Sequence, residues 1–178
     1  MPKPDRLSHL RALFLPFAAI LAIPAALLWL TGTLHPFWGA QFPLDLLLLM
    51  AGLLLIAAGC YLLYVTVRLF ATTGKGTLAP WDPPGRLVVQ GPYRYVRNPM
   101  HSGVFAILSG EALLFGSIPV ALWAAVFIAG NLFYIPRFEE PELEERFGEE
   151  YELYRQHVPR WIPRRTQWMP SDESNPAG

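Results

Sequence analysis

Charge is scarce in this chain and confined to a few places. Only 16% of the 178 residues are charged, and 14 Lys and Arg balance 14 Asp and Glu. A net charge of zero leaves no electrostatic footprint for a nucleic acid, so no such partner is expected. Thiols are scarcer still. Cys60 is the single cysteine, which excludes an internal disulfide and, from within an apolar block, reads as a buried inert thiol. No metal site is expected. The most informative absence is local: segments 35–43 and 116–119 hold no Lys or Arg, while all 14 basic residues fall in the N-terminus, in 68–97, or from Arg137 onward.

Apolar residues, in contrast, make up 53% of the chain and come in long blocks, the composition of a membrane protein. The first block, 10–34, is roughly 25 residues at about 1.5 Å each, enough for a hydrocarbon core of about 30 Å. Pro16 and Pro24 are expected to kink it. Its apolar run exceeds the roughly 7 to 15 residues of a cleaved signal peptide, so a retained span is expected behind Lys3, Arg6 and Arg11. A second block covers 44–71, with Asp45 suited to a helix N-terminus and Arg68 placed to snorkel at the far end. A breaker-rich loop, 72–90, follows, with a short extended run at 86–90.

Pro99 suits the first position of a third helix ending at Phe115, and Pro119 that of a fourth, 120–136. Past Arg137, residues Leu143, Phe147, Tyr151, Tyr154 and Val158 form one stripe of an amphipathic helix expected to lie on the membrane surface and cover the site. Four spans with both termini cytoplasmic put every cationic segment on one side. The expectation is an all-α polytopic membrane bundle of about four transmembrane helices with a C-terminal surface helix. Residues 1–170 read as one domain and 171–178 as a disordered tail. Arg far outnumbers Lys, and Ala, Leu, Pro and Gly abound, which points to a GC-rich bacterial genome and an inner-membrane protein.

If 100–136 is a hairpin, its two ends return to one interface, where Arg97, His101, Glu139 and Glu140 meet. Arg97 and His101 are four apart and share a helix face. Taken singly, Arg97 reads equally well as a headgroup anchor, and Glu139-Glu140 as a helix N-terminal charge pair completed by Pro141. Gly103, Ala106 and Gly110 form a small-residue packing face. Glu111, an acid inside an apolar helix, stands about 21 Å from Arg97 along that helix, so it reads as structural and near the outer end.

Taken jointly, Arg97-Asn-Pro-Met-His-Ser-Gly103, Glu139-Glu140-Pro-Glu-Leu143, Phe147-Gly-Glu-Glu-Tyr151 and Val158-Pro-Arg160 resemble the isoprenylcysteine carboxyl methyltransferase and phospholipid methyltransferase superfamily. The resemblance covers about 72–165. It implies an integral membrane enzyme that uses S-adenosyl-L-methionine, with Leu87 and Val88 lining the adenosine and Tyr93 in contact with it. The turn Asn98, Pro99, Met100 and His101, with Glu139 and Glu140, is implied to hold the rest. Where the family usually has Arg-His-Pro-x-Tyr, this chain has Asn98 for the His and His101 for the Tyr.

The acceptor implied is a lipid or a lipophilic small molecule. A carboxylate acceptor needs no base, and Arg97 or Arg137 would orient it bidentately. An amine must lose a proton, which gives His101 a role as base, and a thiol is a third possibility. The alternative is a non-catalytic membrane scaffold or lipid sensor that keeps the same architecture.

Overall fold

Asp45 in the first turn and Arg68 in the last bracket a run of Leu, Ile and Ala, and Leu44–Leu69 forms a single helix of 26 residues. Both charges suit the helix dipole. This helix belongs to a computed structural model that describes residues 17–70, 72 and 86–169. Pro16, most of the expected loop 72–90 and the expected tail 171–178 lie outside the described residues.

In chain order, α1 is Ala18–Thr31, α2 Leu44–Leu69, α3 Pro99–Phe115 and α4 Ile118–Tyr134. Two shorter helices follow, α5 Glu140–Phe147 and α6 Glu149–His157. No strand occurs among the described residues. A π turn over Ala18–Ala22 leads into the segment that holds Pro24. Pro99 occupies the first turn of α3 as its missing amide proton predicts.

The fourth helix differs from the expectation. It starts at Ile118 and does not stop at Pro136, because a π turn over Ile135–Glu139 carries it directly into α5. The wider turn accommodates the amide that proline lacks. The surface helix differs too: Gly148, at φ 54 and ψ −129, divides it into α5 and α6. Only glycine adopts that backbone conformation without strain.

α2 and α3 touch backbone to backbone. A Cβ on Gly59 would stand 2.5 Å from the Gly103 carbonyl oxygen, and one on Gly110 2.7 Å from that of Gly52. The small face of α3 thus meets a small face on α2. Gly59→Leu is expected to destabilise the bundle by about 1–3 kcal/mol through overpacking. Gly130→Leu, where nothing lies within 4 Å, should not. Equal melting temperatures for the two variants in detergent would refute the close approach.

Val104, Leu108 and Ala124 form the core between α3 and α4, packed by Ile20, Leu63, Trp123 and Phe127 from the surrounding helices. Trp123 Nε1 donates to the Ala19 carbonyl at 2.9 Å, which ties α1 to α4. The outer surface is apolar as well, with Trp29, Leu47, Leu54, Leu122 and Val126 exposed. An apolar exterior of that extent suits lipid rather than water. α2 and the continuous helix Ile118–Phe147 are long and apolar enough to cross a bilayer. Cys60, expected to be buried, is exposed on this lipid-facing side.

At one end of the bundle the His35 amide donates to the Phe115 carbonyl at 3.0 Å, and Thr33 Oγ1 lies 2.9 Å from Ser117 Oγ. That end carries no described Lys or Arg. The opposite end gathers the Gly91–Arg94 turn, the start of α3, and everything from Ile135 onward, and with them every described basic residue.

Candidate active site at the cationic end

The hairpin brings the two predicted pieces together. Arg97 Nη1 lies 3.1 Å from Glu140 Oε1, with both side chains almost fully buried. The approach is an ion pair but not a hydrogen bond, and Arg97 Nε and Nη1 are buried without a hydrogen-bond partner. Glu140 is instead gripped side-on by a residue from beyond α6. Arg160 Nε donates to Oε1 and Nη2 to Oε2, each at 2.7 Å. Two guanidiniums therefore flank one buried carboxylate, leaving the cluster with a formal charge of +1.

Asn98 precedes α3 but does not cap it with its side chain. Its Nδ2 donates to the Arg160 carbonyl at 3.4 Å, so the first-turn amides of α3 lack a side-chain cap. Pro99 is buried and Met100 half-buried beside it. His101, one turn in, has its ring 6.4 Å from that of Phe105. Phe105 in turn meets Trp161 at 5.3 Å and Phe127 at 6.3 Å, an aromatic wall between α3 and α4.

Glu139 sits partly buried at the end of the π turn, with no ion pair among the described residues. Tyr93, within electrostatic reach of Glu139, is raised well above the usual phenol range by its burial, so it remains a neutral phenol. Val88 and Tyr93 are buried. Leu87 and Val89 pack on Tyr151, Tyr154 and Val158 together with Leu143, Phe147 and Trp168. The predicted apolar stripe packs on Leu87, Val89 and Trp168 of the chain itself. Tyr154 Oη fixes the same region by donating to the Tyr93 carbonyl at 2.8 Å.

Residues 47–150 match the phospholipid methyltransferase family. The chain belongs to that family. Over 77 residues, 43% of this chain, it is also 37% identical to the Protein-S-isoprenylcysteine O-methyltransferase of the fission yeast Schizosaccharomyces pombe, and the match spans 33% of that protein. The chain therefore spans about a third of the length of that relative.

The match to the phospholipid methyltransferase family takes in Arg97, Asn98, His101, Glu139 and Glu140, which the structure brings to one end of the bundle. It does not bring Arg137 to them. Arg137 is exposed, its guanidinium 5.0 Å over the Phe133 ring on the outer side of the helix. Arg160 lies past the matched segment, and sequence reasoning gave it no role in the site. The only signal was its place in Val158-Pro-Arg160, and nothing in its spacing points to Glu140.

Proposed function

We propose that the protein is an integral membrane methyltransferase that takes S-adenosyl-L-methionine as donor and methylates a lipid or lipophilic acceptor reaching the site from the bilayer. The observation that carries this reading is the buried Arg97 guanidinium, whose Nε and Nη1 lack a hydrogen-bond partner, beside an uncapped helix start and a half-buried acid with no ion pair among the described residues. The residues suit the donor. The first-turn amides of Met100 and His101 suit its carboxylate, and Glu139 its ammonium or ribose hydroxyls. Leu87, Val88 and Tyr93 supply an apolar wall for the adenosine. Bound S-adenosyl-L-methionine supplies an electrophilic methyl group on a sulfonium.

Arg97 would orient the acceptor. One carboxylate shared by two guanidiniums leaves net positive charge for an acceptor anion, a carboxylate or a headgroup phosphate. A carboxylate acceptor is already ionised. An amine acceptor would pass its proton to His101, four residues beyond Arg97 in the first turn of α3. Phe105, Phe127 and Trp161 exclude water from the transfer. Arg137, over Phe133 on the outer surface, serves as a headgroup anchor in this reading. Residues 1–170 act as one domain, with the cationic end and both termini on the cytoplasmic side of a bacterial inner membrane.

The reading as a whole is tested by incubating detergent-purified protein with methyl-labelled donor and a total membrane lipid extract. Label in the lipid phase is expected. A scaffold or lipid sensor would leave that phase unlabelled.

A further inference from the structure

We propose that Arg160 is a positioning residue that keeps Arg97 available by holding Glu140 out of hydrogen-bonding alignment with it, an inference that rests on the reading of Arg97 as the group that orients the acceptor. Left alone, a buried carboxylate beside a buried guanidinium closes into a side-on pair with two parallel hydrogen bonds. That pair does not form here. Both Glu140 oxygens accept from Arg160 at 2.7 Å, and Arg97 reaches Oε1 only at 3.1 Å, out of hydrogen-bonding alignment. Arg97 Nε and Nη1 are consequently buried without a hydrogen-bond partner.

The backbone around Arg160 is fixed on the other side of the same residue. The Arg97 amide donates to the Pro159 carbonyl at 2.9 Å, Asn98 Nδ2 to the Arg160 carbonyl at 3.4 Å, and Trp161 stacks near Phe105. Two further main-chain bonds, from Arg164 to the Tyr95 carbonyl and from Trp168 to that of Arg94, each at 3.0 Å, lay this strap along 94–98. Arg160 thus spans the gap between the start of α3 and the start of α5. Its main chain sets the place of Arg97, and its side chain occupies the carboxylate that would otherwise capture Arg97. Hydrogen bonding to Glu140 is the main cause that raises the Arg160 guanidinium still further above the usual arginine range.

Arg160→Ala frees Glu140 to close on Arg97, so kcat/KM for the acceptor should fall about tenfold or more, with donor affinity within about twofold of wild type. Glu140→Gln in that background removes the capturing charge and should recover most of the loss, a rescue that mere destabilisation would not produce. Arg160→Lys, which keeps the charge without the fork, should fall between and serves if the alanine variant does not fold.

Wild-type activity in Arg160→Ala, or a double variant no better than Arg160→Ala alone, overturns the proposal. An experimental structure of Arg160→Ala, or of Arg160→Lys in its place, tests it without any assay. Glu140 hydrogen-bonded side-on to Arg97 is expected, and an Arg97 edge left unpaired refutes it. Wild-type protein that transfers no methyl group would sink the methyltransferase reading, and this structural comparison would still decide the part played by Arg160.

Discussion

Replacing Arg97 with alanine is expected to lower methyl transfer by about a hundredfold or more while donor affinity stays within about threefold of wild type. The split follows from where the side chain lies. Its Nε and Nη1 are left without a hydrogen-bond partner after both Glu140 oxygens have been taken by Arg160. The groups proposed for the donor are others, the α3 amides and Glu139. Truncation also leaves Glu140 with Arg160 alone, still a complete pair, so the bundle should keep its melting temperature. Turnover measured at saturating donor with calorimetry alongside separates the effects. Undiminished transfer would return Arg97 to the role of headgroup anchor.

The largest loss of binding is expected at Glu139. Glu139→Ala should weaken donor affinity by about 10- to 100-fold, the usual cost of removing a charge-assisted contact from a buried site. Glu111→Ala should leave that affinity unchanged. Glu111 is also buried, with Oε2 lacking a partner. It lies one turn before Phe115, at the end of α3 away from Arg97. Equal affinities for wild type and Glu139→Ala would detach the donor from this end of the α4 helix.

Much of this architecture was legible because membrane helices are written in the simplest signals. Long apolar runs mark α2 and the α3–α4 hairpin, and the cation-free turn at 116–119 marks which way the hairpin points. Pro99 marks the start of α3, and the hairpin alone sufficed to predict that Arg97 meets the Glu pair. Pro136 misled because a proline rule concerns the regular α-helical ladder, and a single π turn relaxes it. The break at Gly148 was hidden by an apolar stripe that continues across it.

The grip of Arg160 on Glu140 was out of reach for a different reason. The two are 20 residues apart, on either side of α6, and no periodicity relates them. Only the strap bonding to the backbone of 94–98 brings Arg160 back over the site. Half of the α2–α3 contact was visible in Gly103 and Gly110. Gly52 and Gly59 became its other half only once the helices were seen to run antiparallel in that register.

The central claim is spatial: a methyl donor sits between the start of α3 and the π turn before α5. Ultraviolet crosslinking of methyl-labelled S-adenosyl-L-methionine to the purified protein, followed by peptide mapping, tests it most directly. The account predicts saturable label on peptides from 87–101 and from around Glu139, displaced by excess unlabelled donor. Label confined to other segments, or label that never saturates, would contradict it.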